Sequence, residues 1–183
     1  MVASPARCTA VVALALAGLA FACSTPDTSA RVDPIGPDRV EFRAVAPVLA
    51  RRCGSIDCHG TRFRNLRVFG YGGMRLLDGH RSDDPPIITD DEANATYDSV
   101  IGLEPEVMRA VLLAGGAGPE RLSLVRKGRG DEDHKGDRRV TPGDDADTCI
   151  LTWLSRSTNI DACKRAGCVG DGADIQTCGP GQR

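Results

Sequence analysis

The sequence predicts a mostly helical domain with long loops and a disulfide-stapled C-terminal tail. Three observations carry this. Apolar residues recur at helical spacing behind recognisable capping sequences. The segments between them are rich in loop formers, with 21 Gly and 11 Pro against only 4% aromatic residues. Of the 8 cysteines, Cys149, Cys163, Cys168 and Cys178 crowd the C-terminal part. So thin an apolar supply in a 183-residue chain predicts that stability is borrowed from cross-links or from a bound group filling the interior.

Residues 1–22 read as a secretory signal: Arg7 precedes an apolar run from Val11 to Ala22, too short to span a bilayer. Ala20-Phe21-Ala22 fits an A-x-A cleavage site, and with Cys23 next the segment resembles the lipobox of bacterial lipoproteins, in which that cysteine becomes the lipid-modified first residue. Leu19 stands one position early and Phe21 is bulkier than that pattern favours. The chain is therefore expected to be exported, on the periplasmic or cell-surface side of the envelope, and anchored to a membrane through lipid on Cys23. Residues 23–37, with Pro26, Pro34 and Pro37 among Ser, Thr and Asp, are expected to be a flexible tether.

Asp38-Arg39-Val40-Glu41 reads as a capping box, and Phe42, Val45, Ala46 and Leu49 as the apolar face of a helix ending at Cys53, with Pro47 expected to kink it. Arg64 to Leu77 reads as a hairpin or an extended loop. Thr89-Asp90-Asp91-Glu92 is a second capping box, before Ala93, Tyr97, Val100 and Ile101. Glu104-Pro105 starts a helix that Gly115-Gly116 stops. Asp144 or Asp145 caps a last helix with Ile150, Trp153 and Leu154 on its apolar face. Residues 157–183 read as a loop-rich Cys/Gly tail. Its cysteines together with Cys149 form two disulfides in one of three pairings, each closed loop contributing about 3 kcal/mol.

Several functions are excluded or unsupported. The net charge is −2, and loss of Arg7 with the signal makes the mature chain one unit more acidic, against a nucleic-acid partner. No G-x-S-x-G elbow, P-loop or H-E-x-x-H occurs, so no enzymatic activity is expected. Asp131-Glu132-Asp133 and Asp144-Asp145-Asp147 read as solvated loops and a helix cap rather than catalytic carboxylates.

The chemistry sits in Cys53-Gly54-Ser55-Ile56-Asp57-Cys58-His59. Two cysteines closed by Cys-His mark covalent haem attachment, because the thiols add across porphyrin vinyl groups and the adjacent histidine can ligate iron. The usual spacing is C-x2-C-H; here it is C-x4-C-H, so two extra residues must bulge between the attachment points.

Phe42-x-x-Val45-x-Pro47-Val48-Leu49-x-x-x-Cys53 followed by Cys58-His59-Gly60 resembles the opening of planctomycete-type cytochrome c domains. Ser123 to Lys127, His134-Lys135-Gly136, and Cys149 to Trp153-Leu154 are similar to that family's closing pattern, a histidine-glycine loop before a helix ending in Trp-Leu. The resemblance implies a cytochrome c-like helical fold over residues 38–156, one haem c on Cys53 and Cys58, His59 as proximal iron ligand, and single-electron transfer with a redox partner protein. For the sixth ligand, His134 in the family-like loop is favoured and Met108 is the runner-up, although Met108 also reads as core filler beside Val107, Val111 and Leu112. Met74 and His80 have no supporting pattern.

Residues 38–67 hold seven arginines against Asp38, Glu41 and Asp57, whereas residues 78–106 hold nine acids and only Arg81. The basic segment could pair with haem propionates and steer an acidic redox partner. Two other readings compete. One is a haem-free surface lipoprotein that binds proteins and in which Cys53 and Cys58 form a small disulfide. The other is a zinc site built from Cys53, Cys58, His59 and His134.

Overall fold

The computed structural model describes residues 34–76, 79, 81 and 87–168. The signal segment, most of the tether, Cys23, His80, Cys178 and the end of the tail lie outside the described residues. Among the described residues six α-helices and one 3₁₀ turn follow in order: α1 (Phe42–Cys53), α2 (Asp90–Ile101), α3 (Pro105–Leu113), the 3₁₀ turn (Pro119–Arg121), α4 (Ser123–Arg129), α5 (Asp145–Leu154) and α6 (Ile160–Gly167). The fold class is mostly helical, as expected.

The N-terminal capping box is corrected. The Asp38 carboxylate accepts from the Val40 and Glu41 amides at 2.6 and 3.2 Å, making a turn ahead of the helix, while Glu41 accepts from the Thr158 hydroxyl instead of reaching back. α1 then continues through Pro47, whose missing N–H costs one rung. Its buried face, Phe42, Val45, Ala46, Val48, Leu49 and Ala50, packs against α2, α5 and α6.

The Thr89 box forms in full: Thr89 accepts from the Glu92 amide and Glu92 from the Thr89 amide. Pro105 opens α3, which closes before Gly115 and Gly116, both at positive φ (65° and 87°). Asp144 caps α5 by accepting from the Asp147 amide at 2.8 Å. Between α1 and α2, of the hairpin or extended loop expected there, the structure has the extended loop, with an isolated Phe69–Met74 bridge as its one β-bridge among the described residues.

Two boundaries move. The tether's last residues are packed, since Pro37 is buried and its carbonyl accepts from the Tyr97 hydroxyl at 2.8 Å. Residues 160–167 are helix rather than loop: α6 buries Ala162, Cys163 and Ala166 against α1 and α5. Gly167 approaches α1 so closely that a Cβ would meet the Pro47 ring carbon at 2.9 Å. Of the open pairings, Cys149–Cys163 is formed, joining α5 to α6, and Cys168 is also disulfide-bonded.

The described core is closed by the chain's own apolar and aromatic side chains, and the Cys149–Cys163 bridge supplies one of the expected cross-links. Phe42, Tyr97 and Trp153 form an aromatic triangle with centroid separations of 5.4, 4.9 and 6.1 Å. Trp153 Nε1 donates to the Asp38 carbonyl at 3.0 Å, so the polar ends of Tyr97 and Trp153 clamp successive backbone residues. Arg75 and Glu92, 3% and 0% exposed, form a buried ion pair at 2.6 Å that ties the extended loop to α2. Arg129 grips Asp147 with two bonds of 2.8 and 2.9 Å, joining α4 to α5. No helix among the described residues is long and apolar enough to cross a membrane.

Candidate functional site

α1 ends by delivering Cys53 to the start of a tight loop. Gly54 N–H closes the helix on the Ala50 carbonyl at 3.0 Å, and the His59 amide returns to the Cys53 carbonyl at 3.0 Å. The Cys58 and Gly60 amides both donate to the Ser55 carbonyl, each at 2.9 Å. The two residues added to the usual spacing are thus taken up in a hydrogen-bonded turn that returns His59 to the helix end.

Three glycines hold this turn down. A Cβ on Gly60 or on Gly73 would collide with the Gly54 carbonyl oxygen, and the same Gly73 Cβ would lie 2.7 Å from the Gly60 Cα. The Ile56 amide donates to the Gly72 carbonyl at 3.0 Å, fastening the turn to the extended loop. Only glycine permits backbones this close.

His59 is oriented from the other side. Its amide and carbonyl are both engaged, the carbonyl by the Val68 amide at 2.8 Å, and its Nδ1 lies 3.1 Å from the Leu66 carbonyl. A carbonyl only accepts, so Nδ1 carries the proton and Nε2 keeps its lone pair. Burial lowers the His59 pKa, and the charges of His134, Arg64 and Lys127 add to that, while the Leu66 bond opposes it. The neutral imidazole is therefore favoured.

His134 comes from the loop between α4 and α5. Glu132 pairs with Arg126 at 2.8 Å and with Lys127 at 3.1 Å, and the Arg139 and Val140 amides both donate to the Gly128 carbonyl at 2.9 Å, so the loop is clipped to α4 at both ends. Gly136 is buried beneath the imidazole, where a Cβ would meet Nε2 at 2.7 Å. Nδ1 of His134 is buried with no hydrogen-bond partner in the structure.

Cys53, Cys58, His59 and His134 line one cavity of about 170 Å³. His59 and His134 also line a more open cleft of about 550 Å³ that runs past Leu66 and Leu103 to Phe63, which is 82% exposed. Together these spaces reach the size range of small-molecule sites, about 300–1,000 Å³. The two cysteines are free thiols, not joined to each other. Burial first, then the neighbouring Cys58, pushes the Cys53 pKa up to about 11, so this sulfur stays protonated at neutral pH. Although the four residues share a cavity, no group of three or more His, Cys, Asp or Glu side chains among the described residues is placed to hold a single metal ion. That leaves the zinc reading without a ligand set among the described residues.

The cavity wall is cationic: Arg52, Arg64, Lys127, Lys135 and Arg139 face one acid, Asp57. The expected basic segment is only partly used here. Arg39 pairs with Asp98 and lies 4.1 Å over the Tyr97 ring, and Arg43 meets Asp90 at 3.0 Å, so both serve α1–α2 docking instead. Met108 lines neither this cavity nor the cleft; it is 1% exposed in the apolar core, the place given by its alternative reading as core filler. Met74 sits in the Phe69 bridge and lines neither space. Asp147, expected in a solvated loop or helix cap, is buried and paired with Arg129, and Glu132 is paired with Arg126 and Lys127 of α4.

Sequence reasoning missed the Leu66 carbonyl, which has no side-chain signal, and the Gly54–Gly60–Gly73 packing, whose signal was the run of glycines around the motif. No family model, curated protein or solved structure matches this chain.

Proposed function

We propose that this protein is a monohaem c-type cytochrome-like electron carrier, with haem attached at Cys53 and Cys58, His59 as proximal ligand and His134 as the second. One observation carries the reading: two free thiols and two imidazoles border one cavity, and His59 has its Nδ1 proton committed to Leu66, leaving Nε2 available. Metal-ligating histidines ordinarily donate their other nitrogen to a carbonyl or carboxylate in this way. Bound haem supplies one-electron chemistry at its iron. The chain's own part is to fix the His59 tautomer through Leu66, to seat His134 over Gly136, and to surround the site with cations that counter propionate charge and favour an acidic redox partner. Export and a lipid anchor at Cys23 complete the proposal.

The test is maturation of the full chain in a host with a working cytochrome c assembly system, followed by an absorption spectrum, a haem stain on a denaturing gel and an intact mass. A covalent haem adduct is expected.

A second reading, a haem-free anchored module that binds proteins, is favoured by the aromatic core that closes without any added group. Colourless protein with Cys53 and Cys58 joined to each other would establish it over the first.

A further inference from the structure

A second cavity lies against the thiol site and shares Arg52 and Arg139 with it. Its volume is about 400 Å³, and it is built where three segments meet: the last turn of α1 with Arg51 and Arg52, the extended loop with Tyr71, and the loop before α5 with Arg138 and Arg139. Four arginines thus line one space whose described lining contains no carboxylate, Arg51 and Arg52 half-buried and Arg138 and Arg139 exposed. Arg52 Nε is buried without a hydrogen-bond partner. Buried donors left unmatched are costly, and clustered like charges repel, so the arrangement favours a ligand that brings acceptors and negative charge together.

Three bonds tie parts of this wall to the rest of the fold. The Tyr71 hydroxyl donates to the Pro47 carbonyl at 3.3 Å, Arg138 Nε donates to the Arg129 carbonyl at 3.0 Å, and the Arg139 amide is held by Gly128. Planar guanidinium forks match the oxygens of phosphate and carboxylate groups in two-point contacts.

We propose that this cavity binds a small molecule through a dianionic phosphate or carboxylate group, with Arg52 and Arg139 as its principal contacts. The inference does not depend on haem, because the recognising groups are the arginines and not the thiols or imidazoles.

The experiment is calorimetric titration of the full chain with inorganic pyrophosphate at low ionic strength, with sodium chloride of matched ionic strength as control. Saturable binding is expected, weakened about tenfold by Arg52→Gln and by Arg139→Gln, which is the loss of about one charge-assisted contact. Arg52→Lys should retain part of the affinity, and Arg109→Gln, on the exposed surface of α3, should leave it unchanged. Absence of saturable binding, or equal weakening by Arg109→Gln, overturns the proposal. Two sources of the anion are separated by comparing the Cys53→Ser/Cys58→Ser double variant with haem-loaded protein. Pyrophosphate binding by both supports a free anionic ligand. Binding by the thiol-free variant alone supports occupancy of the same arginines by porphyrin carboxylates. Colourless wild-type protein that still binds pyrophosphate would sink the haem reading and leave this one standing.

Discussion

His59 Nδ1 donates to the Leu66 carbonyl at 3.1 Å, seven residues downstream, and this bond decides which imidazole nitrogen carries the proton. If the proposed function holds, His59→Ala should abolish the low-spin absorption spectrum of the matured protein. His134→Ala should alter it. Met108→Leu should leave the spectrum unchanged while costing under about 1.5 kcal/mol of stability as a near-isosteric core swap. A spectrum that responds to Met108 and not to His134 would reverse the assignment.

Glu92 illustrates how a buried charge is tolerated. Burial pushes its carboxyl pKa up, but bonds from Arg75 and from the Thr89 and Leu76 amides outweigh this and hold it below the usual value. Since the folded pKa is the lower one, the stabilisation is fully present above the unfolded value, about 4.3. It is lost as pH falls through the folded value. Arg75→Ala should destabilise by about 3–5 kcal/mol, because it strands the Glu92 charge. Denaturant titrations at pH 7 and pH 3 should show wild type and Glu92→Gln converging at the acid end.

Two glycines should respond in opposite directions. Gly73→Ala places a methyl against the Gly54 carbonyl and the Gly60 Cα, backbone that cannot step aside, and should cost about 1–3 kcal/mol or more while loosening the His59 turn. Gly128→Ala in α4 meets Val140 at an ordinary 3.7 Å and should stabilise by up to about 1 kcal/mol through helix propensity. Thermal melts of the two variants check both signs.

The Cys149–Cys163 bridge closes a 14-residue separation between α5 and α6. Its removal by Cys149→Ala/Cys163→Ala should lower unfolding free energy by about 3 kcal/mol, in line with the entropy of a loop that size. Because α6 packs on α1, whose last residue is Cys53, the variant should also reduce haem loading if the proposed function holds.

What could be read in the sequence was local. Thr89-x-x-Glu92, Glu104-Pro105 and Asp144 each contain their own capping chemistry, and the structure has a helix at each. The Asp38 box failed because Glu41 found a partner 117 residues away in Thr158, a contact no local pattern encodes. α6 was hidden by Cys163, Gly167 and the Gly- and Cys-rich sequence that follows, which suggested loop; the disulfide and burial against α1 and α5 override that composition. At the site, Cys53, Cys58, His59 and His134 were all visible as residue types, and they do share a cavity. The Leu66 carbonyl, the glycine contacts and the second arginine cavity depend on segments meeting in space, so spacing along the chain could not reveal them.

Tyr97 and Trp153 offer a test of whether the start of the domain is held cooperatively. Their polar atoms bond the carbonyls of Pro37 and Asp38, neighbours in the chain, and their rings stand 6.1 Å apart, so both restrain one short segment. Tyr97→Phe keeps the ring and should cost about 1–2 kcal/mol, the loss of one buried hydrogen bond with its acceptor left behind. Trp153→Phe also opens space in the fully buried core and should cost more. Once either bond is gone the segment can shift and its carbonyls can reach water, so the second loss matters less. The double variant should therefore be less destabilised than the two single effects combined, by at least about 0.5 kcal/mol in a denaturant-melt cycle. Strict additivity would mean that the two bonds act independently and that the segment is held by packing against α1 and α2 instead.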